Sequence, residues 1–338
     1  MIMRIKYRYI LFLLVVFQGA FAQDFTMKNQ NKVMGTINPS FYGFGDSSKA
    51  GIIYSTEGYN EGSKIENRFG FANHYFENSE FSLALDVNST KITQLGFSIT
   101  QANLHYIYKA QLSYEWTFNP SISVGYGNSR LDYSSLVFED QINVLTGYIA
   151  GVSRDPVNID NKINYLDIGA GAVVHNNQNM FFGFNLKHIN SPETSFNSNA
   201  SNKKDMFMSF QSGYEKDLNP YGQSTFLPEN SYLYLFNSFS KQGAKTRFDL
   251  YQEAILGNIS FGINEHFNKY DGFSVSQMGT SLSVFIEEIE VGANYSFDIG
   301  SKKVGGTTYN TFELYVTFDF NPFKKNRRGN NSRFYDMQ

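Results

Sequence analysis

The chain contains five histidines, and none of them stands at the sequence spacing of a metal or catalytic site. No second histidine or carboxylate follows at a ligand interval such as H-x-x-x-H. Each lies among residues typical of strands or strand ends, which favours polar packing in an interior or at a rim. We therefore expect no metal ion and no cofactor. The histidines are His74, His105, His175, His188 and His266.

The sequence does not nominate a nucleophile. No G-x-S-x-G motif is present, and a Ser-His pair oriented by a third group is a matter of geometry that the sequence does not reveal. Gly-x-Gly occurs at 43–45, 125–127 and 169–171, without the full nucleotide-binding pattern. These glycines are typical of closely packed strands. We assign no catalytic residue and expect a protein that is not an enzyme, with an outer-membrane hydrolase as a weaker alternative.

Four carboxylates fall on the polar side of alternating segments: Glu115, Asp298, Glu313 and Asp319. If the segments form a barrel, that side is its lumen, where charge either tunes a pore or joins a buried network in a filled interior. The sequence leaves the choice between an open and a filled lumen undecided.

The elements that would position these side chains are β-strands with one apolar and one polar face. The stretch 289–300 alternates without a slip, and about fourteen such segments extend from about 50 to 320. Their length suits strands that cross a bilayer. We predict an all-β fold, a transmembrane antiparallel β-barrel of the outer membrane with about 14 strands; a soluble all-β protein is the alternative. The predicted lipid-facing residues are Val291, Tyr295, Phe297, Leu314, Val316, Phe318 and Phe320.

The ends of the chain predict export and two flanking segments. A basic start, a short apolar run and Ala20-Phe-Ala22 indicate a cleaved signal peptide at 1–22. Residues 23–47 are assigned to an N-terminal periplasmic segment, 48–320 to the barrel and 321–338 to a basic polar tail. That tail is either a solvated extension or a contact for an acidic periplasmic partner.

Charge and cysteine content exclude some classes of protein. Without residues 1–22 the chain has 25 basic and 31 acidic side chains, a balance that disfavours a nucleic-acid partner. The chain has no cysteine, so it has neither disulfides nor thiolate metal sites.

Turn signals suggest short connections on one side and long loops on the other. Asn119-Pro120 and Asn176-Asn177 predict tight turns. Ser191 to Lys204 and Leu218 to Asn230 are predicted to be long extracellular loops.

Four stretches of the chain match the motifs of a known family in order and spacing. Ile37-Asn-Pro-Ser-Phe-Tyr-Gly43, near the mature start, is similar to an "NPAYAG" box, and the other stretches are 131–141, 167–171 followed by 182–192, and 291–298. Together they resemble the PorP/SprF family of type IX secretion membrane proteins. The resemblance runs from about Ile37 to Phe320.

The resemblance implies a non-enzymatic outer-membrane barrel of the type IX secretion and gliding apparatus. Its partners would be a secreted adhesin with a type IX C-terminal domain, periplasmic subunits of the machine including a peptidoglycan-binding protein, and membrane lipid. Export or surface anchoring of that adhesin is the function so implied. A channel for small or hydrophobic solutes is the alternative, motivated by the acidic positions on the lumen side.

Overall fold

The protein is a closed antiparallel barrel of fourteen long strands, seen in a computed structural model. The structure describes residues 24, 26–58, 64–93, 95–132, 137, 139–142, 146–149, 161–176, 179–196, 201–269, 273–299 and 310–320. The predicted signal peptide and basic tail lie outside these residues. The strands are β1 Lys49–Gly58, β2 Lys64–Phe76, β3 Phe81–Ile92, β4 Phe97–Tyr108, the two-residue β5 Ala110–Gln111, β6 Trp116–Leu131, β7 Lys162–Asn176, β8 Met180–Lys187, β9 Phe207–Asp217, β10 Ser231–Gln242, β11 Lys245–Leu256, β12 Ile259–Lys269, β13 Phe273–Ile286, β14 Ile289–Asp298 and β15 Asn310–Asp319.

Each long strand pairs with its neighbours in the chain, and the first pairs with the last. β1 and β15 are antiparallel from Lys49 opposite Asp319 to Gly58 opposite Asn310. β4 pairs directly with β6, so that β5 is only a short addition beside the near end of β6. Because the ring closes, no long strand leaves a row of backbone groups unpaired, as membrane strands require. The predicted fold class and the strand number are confirmed.

The strict alternation of the sequence becomes an apolar outer face and a polar inner face. On β14, Val291, Tyr295 and Phe297 are exposed on the outer face, whereas Glu290 and Asn294 between them are buried inside. The predicted residues Leu314, Val316, Phe318 and Phe320 are exposed on the outside in the same way. Their contact with lipid stays a prediction.

The connections separate into two ends of the barrel. We call the end where β1 starts and β15 stops the near end, and the opposite end the far end. The far end carries the connections 132–161, 188–206 and 299–309, and the near end mostly carries short turns such as 257–258 and 287–288. Since outer-membrane barrels have short periplasmic turns and longer extracellular loops, we infer that the far end is extracellular.

The two loops predicted to be extracellular lie at opposite ends. Ser191 to Lys204 precedes β9 and Leu218 to Asn230 follows it, and a single spanning strand carries the chain from one end to the other. Leu218 to Asn230 therefore belongs to the near end, and the prediction that both loops are extracellular was wrong.

The region between β4 and β6 also differs from its prediction. Leu112 to Glu115, predicted as part of a strand, is an exposed turn. Asn119 and Pro120, predicted as a tight turn, lie inside β6, where they pair with Val173 and Ala172 of β7. On the other side of β6, the β5 pairing ends at Phe118 and the β4 pairing begins at Ser121. Proline is tolerated there because this gap needs no backbone N–H.

Short 3-10 helices complete the described fold: Met34–Thr36, Pro39–Asp46, Glu77–Ser79, Glu139–Gln141 and Pro220–Gly222. The first two belong to the N-terminal segment, almost all of which is buried from Met27 to Gly45. This segment lies inside the barrel, against its inner wall, rather than in the predicted periplasmic position. No helix among the described residues has the length and apolar character to cross a bilayer.

Candidate functional site: the occupied barrel interior

The N-terminal segment, residues 24–46, fills the lumen and crosses it more than once. Asp46 contacts Lys109 at the near end, at 2.5 Å. The Thr36 carbonyl accepts from Lys187 Nζ near the far end of β8, at 2.7 Å. Followed further towards the N-terminus, the segment lies near the near end at Lys32 and at the far end again at Asp24. The Asp24 N–H donates to Gln242 at 3.0 Å. We call residues 24–46 the plug.

Lys32 is the centre of a buried ion cluster at the near end. Its ammonium contacts Glu253 of β11 and, at 2.9 Å, Glu290 of β14. It also donates to the hydroxyls of Ser260 and Ser283, at 3.0 and 3.3 Å. The lysine and Glu253 side chains are at most 1% exposed. Buried charges persist only when they are paired and hydrogen-bonded, so this cluster requires the plug and the wall to be assembled together.

Carboxylates of the wall also hold the plug through its backbone and its amides. Glu313 of β15 accepts from the N–H groups of Lys28 and Asn29, at 2.7 and 2.9 Å. Gln30 donates to Asp249 at 3.3 Å and Asn31 to Glu253 at 3.1 Å. Such groups would be costly to bury without partners, so these bonds offset part of the cost of burying the run Lys28-Asn-Gln-Asn-Lys32.

The box around Asn38 is the second attachment of the plug. The Asn38 side chain accepts from the Ser40 N–H at 3.1 Å and thereby caps the helix Pro39–Asp46. Its amide nitrogen donates to the carbonyls of Ala172 and Phe184, both at 3.2 Å, and to Gln211 at 3.0 Å. A Cβ at Gly183 would meet the Gln211 side-chain oxygen at 2.6 Å and displace the group that accepts from Asn38.

Aromatic packing and a histidine network fix the rest of this helix. Phe41 and Phe44 pack edge-on against Phe181 of β8, with ring centroids 5.0 and 5.7 Å apart. Such pairs stabilise beyond the area they bury.

On the other side of the same helix, the Tyr42 hydroxyl donates to Asp86 at 3.2 Å, and His105 contacts the same carboxylate at 2.7 Å. His105 also contacts the Ser123 hydroxyl at 2.7 Å. The helix is thus attached to the wall on both its apolar and its polar side.

A separate charged cluster holds the start of the plug at the far end. His188, just after β8, contacts Asp24 at 2.5 Å and Asp167 of β7 at 2.8 Å, and Lys204 contacts Asp24 at 2.5 Å. Burial raises the pKa of Asp24, but His188 and Lys204 outweigh it and hold that pKa well below its usual value. Burial lowers the pKa of His188, but Asp24 and Asp167 outweigh it and raise that pKa above its usual value. The cluster is therefore ionic near neutral pH.

The residues singled out in the sequence take part in this interior to different degrees. Glu313 is 1% exposed and binds the plug. Asp298, at the far end of β14, and Asp319, at the near end of β15, are half-buried. Asp319 contacts Lys49 at 3.7 Å. Glu115 lies in an exposed turn, so its predicted lumen position was wrong. His105, His175, His188 and His266 are buried, and His74 contacts Ser48 at the near-end rim, at 2.8 Å. Among the described residues, no three His, Cys, Asp or Glu side chains are grouped as metal ligands.

A small polar cavity remains beside the plug, on the β2 to β8 side of the lumen. It measures about 90 Å³ and is lined by Asp24, Asp86, His105, Asp167 and His188, among others. A volume of this size holds a few water molecules. It is far below the several hundred Å³ typical of sites for small organic ligands.

Comparison with known proteins identifies the family. The profile described as type IX secretion system membrane protein PorP/SprF matches residues 20–318, which is most of the chain. The chain belongs to the PorP/SprF family. Being a closed barrel with an apolar outer face, this PorP/SprF protein is an outer-membrane protein. No curated protein matches the sequence.

Solved structures that are similar to this PorP/SprF protein are outer-membrane barrels. A deletion mutant of TodX, described as a monoaromatic hydrocarbon channel, has a TM-score of 0.50 and 10% identity over 87% of this chain and 94% of its own. The toluene transporter TodX of P. putida scores 0.47 with 7% identity, over 83% and 92%. Omp33 of Acinetobacter baumannii scores 0.43 with 11% identity, over 82% and 100%. At these identities the likeness concerns the fold alone.

The plug is the functional feature that sequence reasoning missed. Its residues have neither strand nor helix periodicity, and the partners of Lys28, Gln30 and Asn31 lie more than 200 positions away in the chain.

Proposed function

We propose that the protein supports the export or surface anchoring of a particular large adhesin by the type IX secretion and gliding apparatus, in a non-enzymatic role. The family match over residues 20–318 carries this proposal. The plugged lumen supports it as well, because a rigid, filled barrel suits docking at its two ends better than conduction through its middle.

The far end offers the proposed surface for the adhesin and its type IX C-terminal domain. In the connection 132–161, the described residues Val137, Ile142, Tyr148 and Ile149 are exposed, and Ile142 pairs with Ile149 in an isolated bridge. In the connection 188–206, Glu193 forms a bridge with Lys203. Exposed apolar side chains grouped at one end of a protein are typical of protein-binding sites.

The near end offers the proposed surface for periplasmic subunits of the machine, including a peptidoglycan-binding partner. Tyr114 is 88% exposed in the turn before β6, and Phe226 is 96% exposed in the connection 218–230. The two connections lie on either side of the ends of β7 and β8 on the same rim. Aromatic residues presented in this way are common anchors of protein interfaces.

The outer belt is proposed to contact membrane lipid. The residues we assign to it are the seven predicted from the sequence: Val291, Tyr295, Phe297, Leu314, Val316, Phe318 and Phe320.

Affinity purification tests the proposal. The tagged barrel is extracted from gently solubilised outer membranes, and the proteins recovered with it are identified by mass spectrometry. We expect a large surface adhesin together with secretion subunits. Tyr148→Ser should reduce the adhesin alone, and Phe226→Ser the periplasmic subunits alone, with Phe226→Leu as the matched control. A barrel recovered reproducibly without either partner contradicts the proposal.

A solute channel is the second candidate, and the barrel fold shared with the TodX mutant favours it. It requires the plug to move, since the cavity beside the plug is much smaller than an aromatic solute site. Conductance in planar bilayers separates the two functions: a steady ion current through the native barrel supports the channel, and its absence supports the docking role.

A further inference from the structure

One wall of the barrel carries a basic surface on its outer face, directly above the apolar belt at the far end. The strand registers place one residue of each of five neighbouring strands in a row, from β2 to β7: Glu66, Lys91, Ser98, Arg130 and Lys162. Arg68 lies in the next row, opposite Ser89. We call this set the basic surface. It borders a groove of about 600 Å³.

Apart from Arg68, the cations of the basic surface lack carboxylate partners. Arg130 and Lys162 are directly opposite each other on β6 and β7, and like charges in that position destabilise a strand pair. Glu66 already contacts Lys64 at 2.8 Å and Arg68 at 3.5 Å. Among the described residues, Lys91, Arg130 and Lys162 form no ion pair, and all three are exposed. The surface therefore suits an anion supplied from outside the chain.

The rows below the basic surface are apolar and equally exposed. The third row from the far end lies two residues beyond the Arg68 row on each strand. It contains Val87, Ala102, Tyr126 and Leu166, which are paired across neighbouring strands. Two strand residues span about 6.7 Å and four span about 13 Å. Arg68 therefore lies one row above these apolar residues, and Lys91, Arg130 and Lys162 lie two rows above them. The complementary molecule has an anionic head and apolar chains.

The opposite wall is different at the same height. In the second row from the far end, β10, β11 and β12 present Phe239, Phe248 and Phe267 next to one another. On the basic wall, that row holds Arg68 and the polar residues Ser89, Thr100, Asn128 and Asn164. In the first row the opposite wall also carries exposed Lys241 and Lys269, one on each side of Thr246. The basic surface differs from it in placing Arg130 and Lys162 directly opposite each other and in adding Arg68 in the second row.

We propose that the basic surface binds a phosphorylated glycolipid of the outer leaflet, with its phosphates on Lys91, Arg130 and Lys162 and its acyl chains along the apolar rows. Arg130 is suited to phosphate because a guanidinium donates two parallel hydrogen bonds; its Nε donates to Asn128 at 3.0 Å, which orients the terminal nitrogens. The far end is the extracellular one, so the leaflet beside the surface is the one rich in such glycolipids. This inference does not depend on the proposed adhesin.

Native mass spectrometry of the purified full-length barrel tests the inference, with bisphosphorylated lipid A as the probe. The triple variant Lys91→Gln/Arg130→Gln/Lys162→Gln should bind it about tenfold more weakly or worse. The control is Lys216→Gln, an exposed outward lysine at the near end, opposite Leu233; its affinity should be unchanged. If the triple variant does not fold, Arg130→Gln is measured alone, and a loss of about threefold or more is expected.

Two further probes separate the glycolipid from other ligands. Dephosphorylated lipid A should bind the native barrel much more weakly than the bisphosphorylated form, and excess inorganic phosphate should fail to displace the bound lipid. Equal affinity of the variant and native barrels for lipid A overturns the inference. Equal affinity for both lipid forms also overturns it, and so does displacement by inorganic phosphate, which would indicate a simple anion site.

Discussion

Replacement of Lys32 by methionine should loosen the plug by a measurable amount. Met keeps most of the side-chain length but removes the charge that faces Glu253 and Glu290, whose side chains are 0% and 8% exposed. Removing one partner of a buried pair costs about 3–5 kcal/mol, because the remaining charge is left uncompensated. At ~1.4 kcal/mol per factor of ten, the equilibrium between seated and released plug should shift by about two to three and a half orders of magnitude.

The reactivity of a single engineered thiol reports this equilibrium. The chain has no cysteine, so Val33→Cys provides the only thiol, at a position that is 4% exposed in the seated plug. When the plug closes faster than the reagent reacts, the labelling rate is proportional to the released population. We expect Lys32→Met to raise that rate by about two to three and a half orders of magnitude.

Two controls decide whether the ion cluster is responsible. Lys64→Met removes an exposed lysine that pairs with Glu66 on the outer wall, and it should leave the labelling rate nearly unchanged. Adding Glu253→Gln and Glu290→Gln to Lys32→Met removes the uncompensated charges and should recover much of the protection. A labelling rate for Lys32→Met within about threefold of the parent, less than ~0.7 kcal/mol, would refute the reasoning.

Three further outcomes follow from the plug and the belt. Because the pKa of His188 is raised and that of Asp24 lowered, the far-end attachment should weaken as pH rises through the folded pKa of His188, and again as pH falls through that of Asp24. Labelling of Thr26→Cys across this range checks it, and His188→Gln should abolish the alkaline arm but keep the acidic one. Asn38→Ala leaves two strand carbonyls without their side-chain donor and should destabilise the barrel by about 1–3 kcal/mol, measured by urea unfolding in detergent, with Asn38→Asp failing to restore it. Val316→Arg should destabilise the lipid-inserted barrel by up to ~2–4 kcal/mol, whereas Val316→Leu should have little effect; an Arg variant as stable as the parent in bilayers would argue against lipid contact at this position.

The strands could be predicted because their pattern is local. In β14 each residue from Ile289 to Asp298 alternates between the outside and the inside, and a period of two specifies a strand whatever its neighbours are. Counting such segments gave the number of long strands. The same count places Ser191 to Lys204 and Leu218 to Asn230 at opposite ends, since one strand separates them; their lengths alone misled the prediction.

The interior could not be predicted, because it depends on pairs that are distant in sequence. Nothing near Lys32 in the chain indicates that its partners are Glu253 and Glu290, which come from strands more than 200 residues later. Pro120 misled the prediction for a related reason. A proline is tolerated in β6 because residues 119 and 120 fall between the part of β6 that pairs with β5 and the part that pairs with β4, and only the strand pairing reveals this.

The pairing of β1 with β15 places a topological condition on how this chain matures. The plug precedes β1, yet Glu313, which accepts from its backbone at Lys28 and Asn29, belongs to the last strand. The ring therefore has to close around a segment that is already inside it, or that segment has to thread a finished cylinder. A chain released before β15 lacks both the closing seam and an anchor of its own plug, so incomplete products differ from finished ones in their interior as well as at their edge.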